Sequence, residues 1–599
     1  MTVFTMIPAL IPLAVIGAII YGIFLWSRRT TSENGPDTGI GTPRRFYFYS
    51  ISFIALMLLV SGVMIVLMSL LDELFGEPVF RGDTGRLAVG LALTIVGLPL
   101  WGLHWRFVQR STAAHESEHR SILRKLYLYA AMAVALGFLA YGGYRVFEWA
   151  LLVGDFPALS WAAVLVWGPV WAYHWWVVSS ETPETTVETL GIRRLYLYVA
   201  SALGVAMIAS GLGFLVYFIL NEGYSAAFQI SISGSERLWG DAARTALSVA
   251  VVGGVIWWGH WFRFAFADRG SVLRWIYLFI ATIGGGTIAA LVGLGVVLHT
   301  SLVWVLGASS DPAASHFSVV PGAIATLAVG VALWTYFRRR MIDESASDEV
   351  AHVARTYDLL IAAIGLLTVA SASVALLDTF LRLISDSSPL VLRGDVQWRS
   401  RVALILTLLV IGAPVWWAHW RRVQIAALSD PEVERTALPR KLYVMGVLCL
   451  GLLALVGGAS STLFIFLRDL LDVDVSANTL RDLSTGLSVV LTALLVIPYH
   501  WVIYRQDREL EPDAHDSLAR PIPKSVLLLT AAGGSEVAAQ VESALGYTVT
   551  RVQWPDSDAF VPSLDFDRMD QLAEEIASAP GTSVMLVPDA DWFRVISYH

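Results

Sequence analysis

The hexapeptide Arg124-Lys125-Leu126-Tyr127-Leu128-Tyr129 has close copies at Arg44-Arg45-Phe46-Tyr47-Phe48-Tyr49 and at Arg193-Arg194-Leu195-Tyr196-Leu197-Tyr198. Looser copies stand at Arg274-Trp275-Ile276-Tyr277, Arg355-Thr356-Tyr357 and Arg440-Lys441-Leu442-Tyr443. A second phrase, His-Trp, closes most of the same units, at His104-Trp105, His174-Trp175, His260-Trp261, His419-Trp420 and His500-Trp501. Between the two phrases lie two long apolar segments. Self-similarity at this period marks a repeat protein, and two apolar segments of about 20 residues make the unit a membrane hairpin.

Composition agrees. The 599-residue chain is 56% hydrophobic and only 15% charged, against about 25% charged in soluble proteins. That excludes a soluble multidomain enzyme. The single cysteine, Cys449, permits no internal disulfide and no thiolate cluster. No block of Lys and Arg points to nucleic acid.

The pattern predicts an all-α polytopic fold of about thirteen spans. One N-terminal helix (1–30) precedes six hairpins at 44–110, 122–180, 191–267, 272–340, 353–424 and 438–505. The N-terminal segment, Val3 to Trp26, has no positive charge before it and Arg28-Arg29 directly behind it. That order is the reverse of a signal peptide and implies an uncleaved helix with its N-terminus outside. Lys and Arg concentrate in the linkers between hairpins, while the turns inside hairpins hold few. The positive-inside rule then puts every linker in the cytoplasm and every turn outside. Parallel repeats of this kind superpose about the membrane normal, unlike the inverted repeats of many transporters.

After a polar linker (506–520) the composition changes. Residues 521–599 alternate short buried-strand patterns with helical ones and read as a small α/β domain. The same charge rule places it in the cytoplasm. Gly533-Gly534-Ser535, between a strand and a helix start, are its candidate anion-binding residues. A dinucleotide fingerprint and a P-loop lysine are absent there.

Three sets of residues carry candidate chemistry. The basic-Tyr phrase is expected to meet anionic headgroups, with the phenols at the polar boundary. The histidines His104, His174, His260, His419 and His500 are the candidate ligands of a metal or haem. Proline and tryptophan precede three of them, as in Pro169-x-Trp171-x-x-His174, and hairpin four has Tyr336-Phe337 in their place. Because such residues recur in nearly every unit, packing and anchoring are the expected role, and no cofactor, metal or catalytic group is predicted. The third set is Gly-Asp with a following Arg in three outer turns: Gly82-Asp83 with Arg86, Gly240-Asp241 with Arg244, and Gly394-Asp395 with Arg399. There Asp is expected to cap a helix and Arg to pair with an acid ending the preceding helix, such as Asp72, Glu148 or Asp378.

No Asp, Glu, Lys or Arg stands near the middle of any span. Ion-coupled carriers keep such groups at depth despite their cost, so that class loses ground.

The repeated Arg-x-Leu-Tyr-x-Tyr hairpins, over roughly 44–505, resemble a bacterial domain family of unknown function found in multi-pass membrane proteins of Chloroflexi-type bacteria. The resemblance implies no activity. The expectation is a bacterial cytoplasmic-membrane protein that acts as a non-enzymatic scaffold or sensor. Residues 521–599 would dock a cytoplasmic protein, and self-association stays open. A channel or passive transporter with a path between hairpins is the alternative, and a haem- or quinone-linked redox protein the second.

Overall fold

The computed structural model describes residues 42–76, 84–115, 118–181, 187–231, 237–268, 271–344, 349–385, 397–473, 475–510, 524–530, 535–545, 548–553, 571–572, 574–576, 578–589 and 592–598. The expected first helix, residues 1–30, lies outside them.

Twelve long helices form six hairpins among the described residues. They are α1 (Thr42–Phe75) with α2 (Thr84–Ala114), α3 (Ile122–Ala150) with α4 (Ala158–Ser180), and α5 (Val187–Phe228) with α6 (Asp241–Ala265). Then come α7 (Val272–Val305) with α8 (Val320–Glu344), α9 (Glu349–Ser385) with α10 (Gln397–Ser429), and α11 (Leu438–Leu471) with α12 (Ala477–Arg508). Helices satisfy their own backbone, which is what a chain needs in a solvent without hydrogen bonds. Eleven are long and apolar enough to cross a membrane. The other is α4, whose Trp161, Trp167, Trp171, Trp175 and Trp176 lower its mean hydropathy without shortening it. At 23 residues it is about 35 Å long, still enough for a hydrocarbon core of about 30 Å.

The hairpins stack by one rule. The first helix of each packs against the second helix of the next: α1 on α4, α3 on α6, α5 on α8. Hydrogen bonds carry the rule onward, from Arg399 of α10 to Gly307 at the end of α7, and from Ser484 of α12 to Asp378 of α9. Each hairpin therefore contacts mainly its neighbours, as in other repeat proteins.

Glycine sets the close approaches. A Cβ on Gly204, Gly286 or Gly365 would fall 2.5–2.7 Å from the backbone nitrogen of Trp257, Trp334 or Trp416 respectively. Each glycine lies eight or nine residues after the tyrosine of its hairpin's opening phrase. Gly286 lies in a π-helical stretch of α7, Ile280–Ile288, and α6 ends in another, Trp258–Ala265. The wider turn re-aims side chains at that end of the third and fourth hairpins.

The chain divides into two compact units, residues 1–428 with 442–499, and residues 429–441 with 500–599. The second contains a four-stranded sheet of β1 (Ser525–Thr530), β2 (Thr550–Gln553), β3 (Ser583–Asp589) and β4 (Trp592–Ser597). The strand order is β2-β1-β3-β4, parallel except for the β3–β4 pair. A helix, α13 (Ser535–Leu545), connects β1 to β2. Val526, Leu528, Val541, Ile576, Val584 and Phe593 form its buried core.

Candidate functional site: the seams between hairpins

The recurring residues meet one another across hairpin boundaries. Trp101 of α2 donates its indole N–H to the Tyr127 hydroxyl of α3 at 3.2 Å. Trp171 of α4 does the same to Tyr196 of α5 at 2.8 Å, Trp257 of α6 to Tyr277 of α7 at 3.2 Å, and Trp334 of α8 to Tyr357 of α9 at 2.9 Å. Each donor lies three residues before the histidine, or before Phe337 in the fourth hairpin. Buried indole and phenol need partners, and in these four pairs each finds the other.

The histidines extend these pairs. In each of His104, His174, His260 and His419, Nδ1 lies 2.7–2.8 Å from the carbonyl oxygen four residues earlier. A carbonyl only accepts, so Nδ1 carries the proton and, in the neutral ring, Nε2 is an acceptor. Nε2 of His174 takes the Tyr127 hydroxyl at 3.3 Å, and Nε2 of His260 takes Tyr196 at 3.1 Å. The result is a relay, Trp101 to Tyr127 to His174, repeated as Trp171 to Tyr196 to His260. At the first hairpin His104 packs near the rings of Tyr47 and Phe48. His419 has Nε2 3.9 Å from Asp358, and His500 is buried in the other unit. Among the described residues no three His, Cys, Asp or Glu converge in a metal-capable group.

A second tryptophan bond appears at alternate seams. Trp105 donates to Tyr173 at 2.6 Å, Trp261 to Tyr336 at 2.9 Å, and Trp420 to Tyr499 at 2.6 Å. These join the first hairpin to the second, the third to the fourth and the fifth to the sixth. The structural period is thus two hairpins, in three copies.

At the basic ends the structure departs from the headgroup expectation. Arg124, Lys125, Arg274, Arg355 and Arg440 are buried within the protein, as are Tyr127, Tyr129, Tyr196, Tyr198, Tyr277 and Tyr357. In the first phrase Arg44 and Tyr47 are exposed while Tyr49 is buried. In four of the hairpins the cations instead meet an acid at or just past the end of the closing helix of the same hairpin, and Arg274 donates to the Ala265 carbonyl. Glu181 takes Arg124 at 2.5 Å and Lys125 at 2.6 Å. Asp268 takes Arg194 at 2.7 Å together with the hydroxyls of Tyr198 and Ser271. Glu118 takes Arg45 at 2.9 Å, and Asp507 takes Arg440 at 2.7 Å. Burial pushes the Glu181 carboxyl up, but the bonds and charges of Arg124 and Lys125 outweigh it and hold it below the ordinary carboxylate range. Asp268 is held low in the same way: burial opposes, and Tyr198, Arg194 and Ser271 prevail.

The outer turns also differ from expectation. Arg86 does approach an acid of its own hairpin, Asp72, at 4.0 Å. Arg244 and Arg399 reach further. Arg244 donates to the carbonyls of Leu151 and Leu152 at the end of α3, at 2.7 and 3.1 Å, and Arg399 to Gly307 after α7 at 3.1 Å. Each caps the first helix of the preceding hairpin, where the arginine meets the helix's negative end. Asp241 sits in the first turn of α6 behind an N-cap at Gly240, and it pairs with Arg244 at 2.5 Å. Gly82-Asp83 and Gly394-Asp395 lie outside the described residues, as do Gly533 and Gly534. Ser535 opens α13.

Sequence reading missed the inner acids and Trp334. The acids fall at unequal distances from the His-Trp phrase. Trp334 was findable, since it keeps the three-residue spacing of the other donors although the histidine is gone.

The fold and its seams define a multi-pass helical membrane protein assembled from repeated two-helix units. The model of one family, a domain of unknown function (DUF5671), matches it three times, at residues 45–159, 194–323 and 355–495. Together these cover more than half of the chain, which belongs to that family. Each match begins at an odd-numbered hairpin, in step with the alternate Trp–Tyr bonds. No curated protein and no solved structure matches the chain.

Proposed function

We propose that the chain is a non-catalytic scaffold of a bacterial cytoplasmic membrane. Its N-terminus lies outside, its basic seams face the cytoplasm, and its sheet-bearing tail docks a cytoplasmic protein. One observation carries the reading: the recurring Trp and Tyr bond one another across hairpin boundaries, while the His and acidic groups bond the Tyr and Arg of their own hairpins. A polar group whose hydrogen bonds are used in assembly is costly to recruit for a ligand. The concentration of Lys and Arg in the linkers supports the orientation, and the tail's own buried core supports a separately folding module.

Proteoliposomes carrying the full chain test it. The scaffold reading expects the same ion and solute permeability as empty vesicles, and an absorption spectrum without a haem band. A flux that survives removal of residues 511–599 makes the protein a channel or transporter. A haem band lost in His174→Ala makes it a redox protein.

A further inference from the structure

The seams that join hairpin to hairpin inside the chain have two unmatched halves at its ends. Three features stand in register at the first helices of the second and fourth hairpins, and the first of them recurs at the sixth. The first is a left-handed residue just past the helix: Leu152 after α3, Gly307 after α7, Val473 after α11, with φ of 64°, 64° and 56°. The second is an arginine from the next hairpin on the carbonyls there, Arg244 for α3 and Arg399 for α7. The third is an apolar contact deeper in the seam. Val252 and Ile256 of α6 pack beside Leu136, Ala140 and Gly143 of α3, and Ile411 of α10 faces Gly295 of α7, where an added Cβ would lie 3.6 Å from its Cδ1.

The apolar faces of both halves recur exposed. Counted back from Val473, the positions on α11 that match Leu136, Ala140 and Gly143 are Gly457, Ser461 and Phe464, all exposed. A Cβ on Gly457 would meet nothing within 4 Å. Among the described residues no side chain donates to the carbonyls of Asp472 or Val473. Counted on from the turn arginine, Ile256 and Ile411 both lie twelve residues after it, and the residue twelve after Arg86 is Leu98 of α2. Ile256 is 8% exposed and Leu98 56%. Exposure to lipid is ordinary in a membrane helix and drives nothing by itself. What is specific here is that the two bare faces are the two sides of a seam that the chain builds twice internally.

We infer that α11 of one copy receives α2 of a second copy, with Arg86 capping the α11 helix at Asp472–Val473 and Leu98 lying over Gly457 and Ser461. The contact is head to tail, so it extends the stack or closes it into a ring. It continues an interface already present, and it stands whatever the tail docks.

Cysteine cross-linking in native membranes tests it. In a Cys449→Ala background, one tagged copy carries Arg86→Cys and a second, differently tagged copy carries Val473→Cys. The internal pair Leu152→Cys with Arg244→Cys, in a single chain, shows that the chemistry reads a formed seam. Mild oxidation is expected to join the two tags only when both variants are co-expressed, and Leu98→Lys is expected to reduce that product at least tenfold while leaving the internal pair intact. Four results overturn the inference. They are no inter-chain product while the internal pair links, homodimers of either single variant, a link within one chain that carries both cysteines, and a product that forms only after residues 1–41 are deleted. The last would make the N-terminal segment the occupant.

Discussion

The second and fourth hairpins hold equivalent places in successive double units, yet different chemistry fastens them. In the second, Tyr127 donates to His174, and Glu181 clamps Arg124 and Lys125. In the fourth, Phe337 fills the histidine's place, edge-on to Tyr277 at 5.6 Å. Arg274 there donates to the Ala265 carbonyl at 2.6 Å and lies 4.8 Å above the Trp261 ring. The indole-to-phenol bond is common to both. The imidazole and the carboxylate are thus one way to finish a seam, and a ring face with a carbonyl is another. The fourth hairpin thus keeps the indole-to-phenol bond without an imidazole beside it.

The largest break is expected where a charge is removed from the second hairpin. Glu181→Ala leaves two buried cations without their carboxylate and should cost about 3–5 kcal/mol, read as a fall in thermal midpoint in detergent. The sign of the pH dependence follows from Glu181 and Asp268, whose folded values lie below the ordinary range. Their contribution is complete above the unfolded carboxylate value of about 4 and is lost as pH falls through the folded ones. Acid melting should therefore start in the second and third hairpins. Exchange protection at α3 that persists in Glu181→Ala at neutral pH would show the clamp to be dispensable.

The next effect concerns close approach. Gly365→Ala places a methyl group about where the Trp416 backbone stands, and overpacking of this kind costs about 1–3 kcal/mol. The same change at Gly102, where a Cβ meets nothing within 4 Å, should be neutral. Equal losses at the two sites would remove the glycine argument for how the hairpins nest.

These contrasts also divide what the sequence discloses from what it withholds. Helices, hairpins and basic linkers were readable because hydropathy and charge are local quantities, summed over about 20 neighbouring residues. The partners were not. Trp101 and Tyr127 belong to different hairpins, so nothing local states that one donates to the other. The same holds for Arg244, which reads as an ordinary turn residue until Leu151 is seen beneath it. The doubled period was present in the three Gly-Asp turns but hidden by near-equal spacing of all six tyrosines. The burial of Arg124 could not be read at all, because Glu181 lies 57 residues away, past both helices of the hairpin.

A smaller loss is expected from Tyr127→Phe. It strands the Trp101 N–H and the His174 Nε2 together, and a buried hydrogen bond left open costs about 1–3 kcal/mol. Tyr277→Phe strands Trp257 alone, since its neighbour Phe337 makes no hydrogen bond, and should cost less. Midpoints of the two variants in one detergent decide it. If Tyr277→Phe costs as much or more, the imidazole adds nothing to the seam.

The finest test exchanges the two chemistries. His174→Phe copies the fourth hairpin into the second. Tyr127 loses its acceptor, and the surrounding rings were not arranged for an edge-on phenylalanine, so a cost of about 1 kcal/mol is expected. Phe337→His copies the second into the fourth. Its Nδ1–H would find the carbonyl four residues earlier, at Leu333, and its Nε2 would face Tyr277. Two new hydrogen bonds then oppose the burial of a polar ring at a position that is now phenylalanine and fully buried. The terms are of similar size, so the midpoint should move by less than the His174→Phe change does. The Tyr277 hydroxyl should become the donor to the new ring, which a ¹⁵N imidazole spectrum would show as a tautomer protonated at Nδ1. A ring protonated at Nε2 would mean that the carbonyl four residues earlier does not fix the tautomer, contrary to the arrangement at His104, His174, His260 and His419.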